Sequence, residues 1–171
     1  MAEPMKPAAH RLRTATAAAV KEDVLDGAIS HRLTFLLSRV GSVLVDGTAP
    51  YYRSLGLSIP AVRALVRLYE TGGEQTVGSL ADSTAIDLST LSHILRRLEA
   101  QGLVTRTRQA HDNRVVFAAL TEEGRRVAGL GREASLRDEA ILLGDMSPEE
   151  TVLLKQMLIR VYRNAKAGFS D

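Results

Sequence analysis

Apolar residues recur along this chain at two distinct periods, and the switch between them marks out its elements. Ile29, Leu33, Leu36, Leu37, Val40, Val43 and Leu44 return every three or four positions, which predicts one face of an amphipathic helix. Gly47 and Pro50 are expected to interrupt or bend it near its end, before Tyr51, Tyr52, Leu55 and a stop at Gly56. Ser58 is placed to cap a second helix with Pro60 in its first turn, and Val62, Leu65, Val66 and Tyr69 form its predicted buried stripe. Gly72 and Gly73 end it. Thr76 then caps a short helix, Val77 to about Thr84, with Leu80 and Ala81 turned inward. After a turn at Ala85 and Ile86, a stronger helix runs from Leu88 to about Gln101 on Leu91, Ile94, Leu95 and Leu98. Gly102 stands where a left-handed C-terminal residue is wanted.

The period then falls to two. Leu103 to Gln109 alternates as a strand, Ala110 to Asn113 carry turn chemistry, and Arg114 to Leu120 is rich in β-formers, so the two strands make a hairpin. Thr121, followed by Glu122 and Glu123, starts another helix whose apolar side is Val127, Leu130, Ala134, Leu136, Ile141 and Leu142. Ser147-Pro148-Glu149-Glu150 has the form of a capping box, with Leu154, Met157, Leu158 and Val161 at helical spacing behind it.

Three helices followed at once by a hairpin make a winged helix-turn-helix, so the predicted class is mainly α with a small β-hairpin. Four segments are expected: an N-terminal arm over 1–20, a helical pairing region over 21–56, the winged domain over 57–120, and C-terminal pairing helices over 121–171. The arm mixes Pro, Ala, Lys and Arg; a flexible tail fits its composition better than a basic targeting peptide. The flanking helices carry more apolar surface than a small winged domain can cover, which calls for a second copy of the chain.

Composition narrows the chemistry. The 171 residues contain no cysteine, which removes disulfides, thiolate metal sites and thiol-based sensing, and agrees with a cytoplasmic setting. No apolar run reaches the ~20 residues of a membrane span, so no membrane partner is expected. Aromatic residues make up 4%, too few for a stacking platform for single strands. The net charge of +2 predicts no polyanion partner by itself, but its distribution does. Residues 88–114 hold five arginines (96, 97, 106, 108, 114) against Glu99 and Asp112, whereas 133–150 hold six acidic residues against one arginine. A basic reader joined to an acidic connector is the polarity of a protein that meets DNA with one face.

The stretches SLADSTAIDLSTLSHILRRLEAQGLVTR (79–106), HDNRVVFAALTEEGRR (111–126) and SPEE (147–150) resemble the MarR family of bacterial regulators. The resemblance covers roughly residues 29 to 165 and lies in the ordered set of motifs. These are a Ser-Thr pair on the recognition helix, an Arg-Leu-Glu-x-x-Gly-Leu-Val exit, an Asp-x-Arg wing tip and a Leu-Thr-x-x-Gly helix start. It implies a homodimeric regulator of transcription, usually a repressor, that binds a pseudo-palindromic double-stranded operator. Two departures stand out: Leu88 and His93 occupy positions where many relatives carry Lys or Arg, and Asn113 replaces a second wing arginine.

Periodicity puts Ser89, Thr90, Ser92, His93 and Arg96 opposite Leu91, Ile94, Leu95 and Leu98, on the face a recognition helix turns to base edges. Hydroxyls at 89 and 90 can bond phosphate or base, and His93 can donate to guanine or phosphate. The same residues also suit a solvated polar face, and Ser89 a cap. Arg106 joins the candidate contacts from the first strand. Arg97, beside the Leu98-Glu99 exit, suits an internal salt bridge, with a phosphate contact as the alternative. The resemblance implies that Arg114 enters the minor groove with Asp112 orienting it; the alternative is an exposed ion pair worth under ~1 kcal/mol.

The resemblance further implies a pocket for a small aromatic or phenolic effector, for which His31, Phe35, Arg39, Tyr52 and Tyr69 are candidate lining residues. Core packing or plain surface accounts for each of them as well. Catalysis has little support: the histidines (10, 31, 93, 111) show no metal-ligand spacing, and neither a phosphate-binding glycine loop nor a nucleophile elbow is present. No cofactor is expected. A winged-helix module that binds protein and not DNA stays open at this point, with the basic wing against it.

Overall fold

A computed structural model describes residues 32–109 and 112–169, with the side chains of 109 and 112–114 left undescribed. The chain divides into two compact units, 1–43 and 44–171.

The described part of the first unit is the N-terminal half of helix α1 (Leu33–Ser54). Its Leu33, Leu36, Leu37, Val40 and Val43 are all exposed. Ile29 and His31 lie outside the described residues. The predicted interruption of this helix does not occur: α1 runs on to Ser54 with Pro50 inside it. An internal proline removes one helical hydrogen bond and costs about 3 kcal/mol in an isolated helix. Here Thr48 and Tyr52 are buried on either side of it, and Tyr51 packs on the core, so tertiary packing outweighs the penalty.

The second unit holds the core. Helix α2 (Ile59–Glu70) starts as expected, Ala61 N–H donating to Ser58 Oγ at 3.4 Å with Pro60 in the first turn. It buries Ala61, Val62, Ala64, Leu65 and Leu68. Tyr69, expected in that stripe, is 41% exposed, because the face rotates onto Leu68 and the small alanines. Strand β1 (Glu74–Thr76) was not anticipated. Thr76 then caps α3 (Val77–Thr84), Ser79 N–H donating to its hydroxyl at 3.2 Å. Ala85, left-handed at φ 52°, turns the chain through buried Ile86 into α4 (Leu88–Ala100).

Gly102, at φ +71°, reverses the chain after α4 as predicted. Strands β2 (Val104–Gln109) and β3 (Asp112–Leu120) pair antiparallel, with Val104 opposite Leu120 and Arg108 opposite Val116. β1 adds to the other edge of β3, Gln75 opposite Ala118, so the hairpin is part of a three-stranded sheet in the order β1-β3-β2. Leu65, Leu68, Leu80, Leu91, Leu95, Leu98 and Val104 are fully buried and tie α2, α3 and α4 to the sheet.

Thr121 caps α5 (Glu122–Leu143), accepting from Gly124 N–H at 2.9 Å. Its inner face is Val127, Ala128, Gly131 and Ala134. The predicted apolar residues further along, Leu136, Ile141 and Leu142, are exposed. The capping box at Ser147 and Glu150 forms with bonds of 2.8 and 3.2 Å and opens α6 (Pro148–Gly168), none of whose described residues is buried.

Candidate nucleic-acid interface

α4 is built so that one side is locked and the other is free. Leu91, Leu95 and Leu98 are 0–1% exposed, which fixes the helix rotation, while Ser89, Thr90, His93 and Arg96 face outward. Ser92 is half-buried. The cap is Asp87, a residue the sequence reading passed over, although an Asp just before an apolar-periodic run is a helix-start signal. Thr90 N–H and Ser89 Oγ donate to its Oδ1 at 2.8 and 2.7 Å. Hydrogen bonds from Thr90 first, then Ser89, hold the Asp87 carboxyl down at about 2. Its negative charge therefore persists at the entrance of the helix at any ordinary pH.

The remaining polar groups of the stripe are also organised. Ser92 Oγ donates to Leu88 carbonyl oxygen at 2.7 Å. Arg96 donates through Nε to Ser92 carbonyl oxygen at 3.4 Å and through Nη2 to His93 Nδ1 at 3.0 Å. Leu88, at the first position of the helix, is exposed. A cleft of about 450 Å³ runs beside the stripe, lined among others by Thr76, Val77, Leu88, Ser92, Arg106 and Val116.

Arg106 is engaged elsewhere. Its Nε and Nη2 donate to Glu99 Oε2 at 2.9 and 2.5 Å, and its backbone N–H to Glu99 Oε1 at 3.2 Å. This fork ties the end of α4 to the start of β2. The ion pair foreseen for Arg97 thus belongs to Arg106, and Arg97 is exposed. A strand residue seven positions on reaches Glu99 better than its helical neighbour two positions back, because residues i and i+2 face different ways on a helix.

The Arg106 hydrogen bond, with its charge, also holds the Glu99 carboxyl below its ordinary value of 4.5. Its contribution is therefore complete above 4.5 and is lost as pH falls through the lower folded value. Glu99→Gln is expected to flatten the acid limb of Tm against pH below 4.5. An unchanged limb would show that the fork adds nothing to stability.

The backbone of Asp112 and Arg114 lies in β3 at the wing tip; their side chains, and His111 entirely, lie outside the described set. Of the candidate effector residues, Phe35 lies under Arg39, whose guanidinium carbon is 5.8 Å from the ring centroid. Tyr52 is a core residue with its hydroxyl 3.5 Å from Asp138 Oδ2; burial first, and then Asp138, raise its pKa. Tyr69 is exposed, and neither tyrosine lines the cleft. Among the described residues no group of His, Asp and Glu could hold a metal ion, and no helix is long and apolar enough to cross a membrane.

Comparison with known proteins places this geometry. The model of the MarR family matches residues 57–116, from just before α2 to the middle of β3. The chain is 31% identical over 134 residues to the organic hydroperoxide resistance transcriptional regulator of Bacillus subtilis, covering 78% of this chain and 87% of that protein. Among solved structures, it is similar to a probable transcriptional regulator from Pseudomonas aeruginosa, with TM-score 0.68, 27% identity and coverage of 78% and 98%. It is also similar to CouR from Rhodococcus jostii bound to p-coumaroyl-CoA, with TM-score 0.69, 25% identity and coverage of 78% and 94%. With α3, the Ala85 turn and α4 forming a helix-turn-helix, the sheet beside it forming the wing, and relatives matched along most of their length, the chain belongs to the MarR family and is a DNA-binding transcriptional regulator.

Proposed function

We propose that the chain acts as a cytoplasmic homodimeric repressor that sets two copies of α4 into successive major grooves of a pseudo-palindromic operator. The observation that carries this is the division of α4 itself, with Leu91, Leu95 and Leu98 sealed in the core and Ser89, Thr90, His93 and Arg96 left outward. In this reading residues 57–120 make the DNA contacts, and 21–56 with 121–171 pair the two copies. The exposed apolar residues of α6, with Leu136, Ile141 and Leu142 of α5, support that pairing. Exposed apolar surface of this extent is what a partner chain covers. Arg106 braces the wing through Glu99, and Arg114 grips the minor groove with Asp112 orienting it.

A small aromatic or phenolic effector releases the DNA by favouring a dimer whose reading helices are wrongly spaced. The p-coumaroyl-CoA bound to CouR, whose acyl group carries a phenol ring, supports that chemistry. With no cysteine in the sequence, the proposed trigger is a bound molecule and does not involve thiol oxidation.

Arg114→Ala is the test of the wing. With a duplex enriched from a random pool by the native protein, affinity should fall about tenfold while sedimentation still shows the dimer. Unchanged affinity at physiological salt would remove the wing from the mechanism.

A further inference from the structure

The outward stripe of α4 has a defined hydrogen-bonding polarity. A guanidinium carries donors only and keeps its protons. Because Arg96 Nη2 lies 3.0 Å from His93 Nδ1, that nitrogen is the acceptor, and the ring hydrogen sits on Nε2. Of the five guanidinium N–H groups, one goes to Ser92 and one to His93, so the other three, with His93 Nε2–H, remain to be satisfied. All of them are donors. Ser89 and Ser92 are the reverse: their hydroxyl hydrogens go to Asp87 and Leu88, so each oxygen is left as an acceptor.

We propose that His93 and Arg96 form one pre-assembled reading unit that selects guanine, the base that presents two acceptors and no donor to the major groove. The inference rests on the reading that α4 enters that groove. Guanine offers N7 and O6, whereas adenine and cytosine place an amino group there, which would set donor against donor; thymine offers a single acceptor beside a methyl group. Residues 93 and 96 are three apart and so share a helix face. Arg96 is held through two of its nitrogens before any DNA arrives, so less side-chain freedom is lost on binding. Arg96, the cation of this outward stripe, thus meets DNA from a fixed orientation.

The test uses the full-length protein and a duplex enriched by it from a random-sequence pool, scanned with 7-deazaguanine, which pairs normally but lacks the N7 acceptor. One guanine in each half-site is expected to matter, its replacement weakening native binding about tenfold. His93→Ala should lose most of that sensitivity, while His93→Asn, whose amide can both accept from Arg96 and donate outward, should keep it. Affinity for an unrelated duplex should be unchanged in both variants, and equal thermal unfolding should confirm that these exposed substitutions leave the fold intact. Enrichment without a sensitive guanine overturns the inference alone, as does a His93→Ala loss equal on selected and unrelated duplexes, which would make His93 a phosphate contact. Failure to enrich any duplex overturns the DNA reading itself.

Discussion

Gly124→Ala should destabilise the protein by about 3 kcal/mol, against the usual direction of a glycine-to-alanine change in a helix. In an open helical position the exchange gains up to about 1 kcal/mol. At Gly124 a Cβ would collide with the backbone carbonyl of Leu103. That carbonyl accepts from Thr121 N–H at 3.1 Å, and Thr121 Oγ1 donates to Gly102 carbonyl oxygen at 2.7 Å. The start of α5 is therefore clamped to the segment between α4 and β2, and neither side has a flexible tip that could yield. Gly129, in the same helix with nothing within 4 Å of its Cβ position, is the control, and Gly129→Ala should be neutral or stabilising. Denaturant midpoints at unchanged m-value measure both. Equal effects at the two positions would show that the close approach is not what requires glycine.

The second large effect concerns pairing. Leu153 and Met157, one turn apart on α6, are 52% and 53% exposed. Leu153→Glu with Met157→Glu should convert a dimer into a monomer at micromolar concentration. Because no described residue of α6 is buried within the chain, the winged domain should keep its unfolding transition. Operator affinity should fall by roughly a hundredfold, since a single copy engages one half-site and loses the gain from linked binding. Sedimentation measures the first result and duplex titration the second. A native protein that is already monomeric would remove the pairing from the account.

Local chemistry made much of this molecule legible. Ser58, Thr76, Thr121 and Ser147 each cap the helix they precede, because a cap is decided within three or four residues. β1 was not legible: Glu74, Gln75 and Thr76 show no apolar alternation, and they become a strand only because β3 offers a free edge. Pro50 reads as a breaker locally and is overruled by the burial of Thr48 and Tyr52. Tyr69 fits a helical stripe by spacing, yet the buried face is set by what α5 brings against α2 at Gly131, where a Cβ would meet Val62.

The candidate interface divides in the same way. The outward face of α4 follows from periodicity, so Ser89, Thr90, His93 and Arg96 stand where expected. Arg106 could not be assigned from spacing, because its partner Glu99 lies across the turn at Gly102, and an arginine reads as a DNA cation until its carboxylate is found. The effector residues were the least legible. A pocket depends on how whole elements pack, and Tyr52 turns out to complete the core.

Titrating the enriched duplex against salt shows whether this chain grips DNA through its phosphates and reads it through α4. About four phosphate contacts per dimer would make affinity fall roughly a hundredfold between 50 and 200 mM salt, as bound counterions are released. That steep decline is expected, together with a preference for the enriched duplex over a scrambled one. A flat response to salt, or equal binding of the two duplexes, would contradict it.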